Sequence, residues 1–294
     1  MADTTNRSLI SAAQLNRHQV TYRVVLTVVI VIFTLIFIGP LYFLFTDGLK
    51  STSEAVQVPP TIVPAHVHPG TYASAWSRVG IGRLLVNTLY YAFGALAFQL
   101  VFDVAAAYSL SRLRPVLGNV IFALMLATLM IPATVLVVPQ YVTVADLPLL
   151  HLNLIGSPEA IWLPSVANAF NIFLLKRFFD SIPSELLAAA AIDGASPLRT
   201  LRSVVLPISR PIIGVVSIFA LVAVWKDFLW PLLVEYGYNP NRETLNVGIF
   251  EAASTTPQNL VLAASAMAAV PTLVFFLIFQ RNILSGLTAG SLKG

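Results

Sequence analysis

Cysteine is absent from this 294-residue chain, and charge is scarce: 10% Asp, Glu, Lys and Arg against 57% hydrophobic residues. The lack of cysteine excludes a disulfide framework and any Cys-ligated zinc or iron–sulfur centre. A soluble domain carries about 25% charged residues, and without them it cannot cover its surface in water. The apolar excess therefore belongs in a bilayer. A net charge of +4 would suggest nucleic acid in a soluble protein, but these cations sit in loops beside apolar runs, where orientation in a membrane is their ordinary use, so nucleic acid is not an expected partner. A phosphate-binding G-x-x-x-x-G-K-[ST] loop is also missing. Gly48-Leu49-Lys50-Ser51 lacks the upstream glycine spacing, so any nucleotide chemistry belongs to another chain and no cofactor is expected in this one. The histidines His18, His66, His68 and His151 are scattered, and His66-x-His68 has no third ligand near it, so no metal site is expected.

A helix needs roughly 20 apolar residues to cross a hydrocarbon core of about 30 Å. Six stretches meet that requirement: Val24–Thr46, Leu84–Leu110, Val116–Pro139, Glu159–Leu175, Ile208–Val234 and Leu260–Phe279. The fold class expected is all-α integral membrane with six transmembrane helices. The first run is too long for the apolar core of a cleaved leader, and no small-residue cleavage site follows it. With both ends inside, the cytoplasmic segments hold Arg7, Arg17, Arg23, Arg112, Arg114, Lys176, Arg177, Arg199, Arg202, Arg210, Arg281 and Lys293. The outer loops hold only Lys50, Arg78, Arg83 and Arg242. That asymmetry places both termini in the cytoplasm. The chain divides into a cytoplasmic segment 1–23, a first helix 24–46, an outer loop 47–83, a core 84–281 with an inner loop 176–211, and a cytoplasmic tail 282–294. Pro59, Pro60, Pro64 and Pro69 make the outer loop read as an ordered, non-helical strap.

The inner loop has a pattern of its own. Ser184 is placed to cap a helix, Glu185 falls in its first turn where the dipole favours a carboxylate, and Leu186-Leu187-Ala188-Ala189-Ala190-Ala191 continues it. Gly194 then suits a left-handed helix end. Ser196-Pro197 pairs a capping serine with proline at the first helical position. This second helix is expected to run from Leu198 to Leu206 and stop before Pro207. A smooth alanine surface suits close approach of another backbone, and it equally suits an interfacial helix that closes the bundle.

Read together, Ile182-Pro183-Ser184-Glu185-Leu186-Leu187, Ala188 to Ala195, and Leu206-Pro207-Ile208 with Pro211 resemble the "EAA" loop of ABC importer permeases. Ala188 stands where that family usually has glutamate. Ala107-Tyr108-Ser109-Leu110-Ser111-Arg112 is similar to the family's end of the second span, and Phe178-Phe179 also fits. Trp225-Lys226-Asp227-Phe228-Leu229-Trp230-Pro231-Leu232 resembles a signature of carbohydrate-uptake permeases, with Lys226 in place of the usual asparagine. The ending Gly286 to Gly294 is similar to the tail of the second permease of maltose-type systems. The resemblance implies a type I ABC importer fold in a prokaryotic cell membrane. It implies a second homologous permease, two ATPase subunits that bind ATP and magnesium, an extracytoplasmic solute-binding protein and a sugar substrate. It also implies ATPase coupling through Glu185, Leu186, Ala189, Ala190, Asp193, Gly194 and Ala195, and no catalytic residue in this chain. Maltodextrins, other disaccharides and glycerol phosphate derivatives all remain open as substrates.

Polar groups inside spans either pack against protein or face a water-filled path. Gln99 and Asp103 share a helix face, and Asp103 lies within reach of Arg112 near the inner end. Asn168 and Asn171, three apart, either touch sugar hydroxyls or bond a neighbouring helix. Asp227 and Trp230, three apart, pair a carboxylate with an aromatic plane as sugar sites do. The tryptophans Trp76, Trp162, Trp225 and Trp230 also suit an interfacial belt. Two other readings fare worse. A secondary transporter would show inverted repeats, and none is evident; a membrane enzyme would gather its carboxylates at one depth, whereas Asp103 and Asp227 lie at opposite ends.

Overall fold

The long uncharged run near the N-terminus forms a single helix, because nothing within it offers the backbone a better partner than itself. The computed structural model describes residues 12–289, with side chains from 19 to 278. The expected tail residues 290–294 and the first eleven residues lie outside it. Helices α1 (Ala12–Asp47), α2 (Thr52–Ala55), α3 (Gly70–Val79), α4 (Ile81–Tyr108), α5 (Gly118–Thr128), α6 (Ala133–Ala145), α7 (Glu159–Trp162) and α8 (Ala169–Ser181) form the first part. They are followed by α9 (Ser184–Ile192), α10 (Pro197–Thr200), α11 (Leu206–Ile208), α12 (Arg210–Lys226), α13 (Leu229–Val234), α14 (Leu245–Ala252) and α15 (Gln258–Ala289). No strand occurs among the described residues; Leu147 and Leu152 make one isolated bridge.

Among the described residues, three stretches, Gln19–Asp47, Ile81–Leu113 and Gln258–Ile278, are single helices long and apolar enough to cross a membrane. Two further candidates are bent pairs. The stretch expected as one third span divides into α5 and α6, which meet at 108°. Pro132 has no N–H to give, and its ring disfavours helical backbone at Ile131, so the chain turns there. The run α10–α11 meets α12 at 83°. The expected fourth span is likewise broken: α7 passes into a 3-10 turn at Leu163–Ser165, and α8 begins only at Ala169. The fifth is interrupted at Asp227, whose backbone is extended (φ −69°, ψ 134°). The outer strap also departs from the sequence reading. It contains α2 and the ten-residue α3, because its prolines cluster between those helices and Pro69 is left as the residue that opens α3.

Helix α4 is the axis of the molecule. Its N-terminal half, with Ile81 and Leu84, packs on Ala75, Val79, Trp225, Leu245 and the α15 residues Ala263 and Ala264. Its C-terminal half, with Val104, Ala107 and Tyr108, packs on Ile172, Leu175, Phe179, Val205 and Val216. Between them, Tyr91 meets Val144, Ala160, Ile161, Trp230 and Val234. Helix α1 is different: its apolar side chains from Val24 to Ile38 are exposed, a surface of the kind a membrane or another subunit covers. The strap is tied to its end by Lys50, 1% exposed, whose ammonium lies 2.5 Å from the Asp47 carboxylate and also donates to the Thr61 carbonyl.

Candidate coupling loop and translocation cavity

Helix α9 begins directly after Pro183, whose extended backbone (φ −54°, ψ 134°) takes the capping position. Ser184 is therefore the first helical residue and supplies no cap, contrary to the sequence expectation; Glu185 still lies in the first turn. At the other end Gly194 has φ +73°. Its N–H donates to Ala191 O (3.0 Å), and the Ala195 N–H reaches back to Ala190 O (2.9 Å). These two bonds satisfy carbonyls that a helix end leaves open. A Cβ on Gly194 would meet no atom within 4 Å, so the backbone angle alone calls for glycine.

Ser196 then accepts the Arg199 N–H with its hydroxyl (3.4 Å) and Pro197 occupies the first turn, as its sequence predicts. The second helix does not stop before Pro207. A wider π turn over Leu201–Val205 leads straight into α11, which carries Pro207; the break comes at Ser209. Of the residues expected to couple, Glu185, Leu186, Ala189, Asp193 and Gly194 are exposed, Ala195 is half-buried, and Ala190 faces the protein interior. Ile192, 87% exposed, adds an apolar contact to that outward surface.

Asp227 and Trp230 line one cavity of about 300 Å³, together with Thr134, Gln140, Ser165 and Thr244. Asp227 is not on a helical face with Trp230 as the spacing implied. It precedes α13, and its carboxylate accepts the Trp230 backbone N–H (3.4 Å). The Trp230 indole N–H donates to Ala160 O at 2.9 Å, and the side chain is 9% exposed. Trp225 is buried as well, against Phe275. Neither sits in an interfacial belt open to lipid; the interior retains them because each ring fills core volume. Thr244 has a buried hydroxyl without a protein partner at the cavity wall. Spacing alone pointed to neither Thr244 nor Gln140; a polar residue just after Pro139 in an apolar run was the available signal.

The two asparagines are not part of this cavity. Asn168 caps α8, its side-chain oxygen accepting the Asn171 N–H (3.0 Å), and its own N–H donates to Asp103 (2.9 Å). That bond replaces the expected Asp103–Arg112 pair. Arg112 turns instead to the carbonyls of Phe179 and Ile182, the latter at 2.8 Å.

Comparison with known proteins agrees with this architecture. Residues 99–284 match the family model described as binding-protein-dependent transport system inner membrane component. The chain is 30% identical over 269 residues to the sn-glycerol-3-phosphate transport system permease protein UgpE of Rhizobium meliloti (strain 1021), covering 88% of this chain and 93% of that protein. It is 30% identical over 257 residues to the melibiose/raffinose/stachyose import permease protein MelC of Bacillus subtilis (strain 168), covering 87% and 91%. In three dimensions it superposes with TM-score 0.77 and 22% identity on a chain of a bacterial ABC transporter involved in the import of the acidic polysaccharide alginate, over 90% of this chain and 97% of that one. The relatives are named transport permeases, not enzymes. With its apolar helices and a match across most of its length, the chain belongs to the family of inner-membrane components of binding-protein-dependent transport systems.

Proposed function

We propose that the chain is a permease subunit of an ATP-driven sugar importer, forming half of the translocation pathway and coupling to ATPase subunits through α9–α10. In this reading it crosses the membrane six times with both termini in the cytoplasm. The crossings are α1, α4, the α5–α6 pair, the α7–α8 segment, α12 with α13, and α15. A second homologous permease completes the pathway. Two ATPases beneath bind ATP and magnesium, and an extracytoplasmic binding protein delivers the sugar. The named sugars of its 30%-identical relatives favour a carbohydrate or glycerol phosphate cargo, and Asp227 and Trp230 are the residues assigned to its path. Lipid covers α1.

The observation that carries the proposal is the α9–Gly194–α10 turn, with Glu185, Leu186, Ala189, Ile192 and Asp193 exposed around a helix end closed by its own backbone. A residue with a Cβ costs roughly 1–2 kcal/mol in the left-handed conformation, more if branched. Gly194→Val is expected to leave an assembled complex whose ATP hydrolysis no longer rises when loaded binding protein is added. Normal stimulation and normal uptake in that variant would overturn the coupling role.

A further inference from the structure

Helix α9 hangs between two prolines, and the carbonyls at those two points are held from one place. Before the helix, Arg112 donates to Ile182 O at 2.8 Å and also bonds Phe179 O. After the turn, the Tyr108 hydroxyl donates to Pro197 O at 3.0 Å. Tyr108 and Arg112 are four apart, one helical turn: one ends α4 and the other lies in the π turn Ser109–Leu113 that extends it. Between them Ser111 donates to Asp180 at 2.6 Å.

The space enclosed by α4 and the loop is not filled with side chains. A cavity of about 360 Å³ lies there, lined by Tyr108, Arg112, Leu187, Ala191, Pro197 and Thr200. Packing joins the two as well: Ile182 lies in one apolar cluster with Ala107 and Tyr108, and Leu187 of α9 packs against it, but α9 itself turns only Ala190 fully into the interior. The directional attachments, which fix the segment's orientation at each end, are the hydrogen bonds. Backbone carbonyls are suited to this because they move with the chain; a side-chain acceptor would add its own rotamer freedom.

We infer that Tyr108 and Arg112 are positioning residues that clamp both ends of the α9 segment to α4, so that the loop and the inner end of this helix move as one body. The inference rests on the coupling reading above and adds the route by which motion at the ATPase reaches the bundle axis. Asp103, one turn before Ala107 on the same helix, holds the start of α8 through the Asn168 N–H, which extends the same body to α8.

The test exploits the missing cysteines. In the full complex, with cysteine-free partner subunits, spin labels are placed at Ala105→Cys on α4 and Ser184→Cys on α9, both exposed. Distances are compared between the nucleotide-free and the vanadate-trapped states. The expected result is an unchanged distance in the otherwise native chain and a shifted or broadened one in Tyr108→Phe with Arg112→Gln, together with about a fivefold or greater fall in stimulated over basal ATP hydrolysis, the weight of one neutral hydrogen bond. A distance that changes in the native chain, or stays fixed in the double variant, overturns the clamp. Should the double variant fail to assemble, Tyr108→Phe alone, which removes one hydroxyl, decides by the same readout. Gly194→Val does not touch α4, so a failure of the coupling reading shows there whatever the spin labels report.

Discussion

The indole of Trp162 lies directly on the bare Cα of Gly94: a Cβ at residue 94 would fall 2.3 Å from its Cε2. The ring has nowhere to go. Its N–H donates to Tyr91 O at 3.1 Å, Phe98 stacks against it at 5.7 Å, and Tyr90 meets it edge-on. This contact seats the short α7 on the central α4, and with it one wall of the cavity that holds Asp227.

Gly94→Ala is therefore expected to destabilise the protein although alanine favours helix. Overpacking a fitted core costs about 1–3 kcal/mol, more than the roughly 1 kcal/mol of propensity that alanine adds. Thermal unfolding of the detergent-solubilised protein should show a lowered midpoint. A midpoint equal to or above that of the native chain would show that α7 shifts freely, and the packing account of α4 and α7 would fail.

Membrane orientation is testable because the native chain has no cysteine. Ser53→Cys and Thr255→Cys should react with an impermeant thiol reagent on intact cells. Ser184→Cys and Ser196→Cys should react only after permeabilisation. All four positions are exposed in the chain itself, and labelling after permeabilisation separates sidedness from cover by a docked ATPase. Ser111, an obvious inner-loop choice from sequence, is unsuitable because it is buried against Asp180. Outside labelling of residue 196 would reverse the proposed topology.

Local chemistry was readable where it depends on neighbours in sequence. The left-handed Gly194 and the Ser196-Pro197 helix start follow from residues a few positions apart, and both stand in the structure. Hydropathy found the apolar stretches for the same reason, yet a window averaged over some 20 residues cannot register a single interrupting group. The turn at Pro132, the break at Asp227 and the cap at Asn168 were missed that way. Asp227 and Asn168 each take one backbone N–H with a short polar side chain, whereas Pro132 removes a donor and crowds the residue before it. The Tyr108–Pro197 and Asp103–Asn168 bonds join residues 89 and 65 positions apart. No local pattern encodes such partners, which is why Arg112 was paired with the wrong group.

Charge and packing at the cavity can be separated by two substitutions. Asp227→Asn keeps the oxygen that accepts the Trp230 N–H and removes only the charge. If the carboxylate binds cargo, uptake should fall about tenfold or more, the weight of a hydrogen bond to a charged group, with little change in the unfolding midpoint. Trp230→Ala, by contrast, empties a core position and leaves Ala160 O unpaired, costing about 3–5 kcal/mol; its loss of uptake should come with a loss of stability. Unchanged uptake in Asp227→Asn would remove that residue from the sugar path.

The segment around the start of α14 has its own titratable pair. Glu243, 2% exposed, sits just before α14, which carries Glu251. Burial first, then the neighbouring Glu251 carboxylate, raises the Glu243 pKa to about 7, with Arg83 opposing. In the unfolded chain the same group has its ordinary value near 4.5. Between those values the folded protein binds the proton more tightly than the unfolded one, so stability falls as pH rises through this window and the full penalty is present above it. Glu243→Gln keeps the size and cannot ionise. It should raise the unfolding midpoint relative to the native chain at pH 8, by an amount that shrinks toward zero as pH is lowered to 5. Acids that do not interact with Glu243 titrate in both proteins and cancel in the difference, so what remains belongs to Glu243 and its partner Glu251. A variant less stable than the native chain at pH 8, or a difference that does not vary with pH, would show that Glu243 is ionised and well paired at neutral pH.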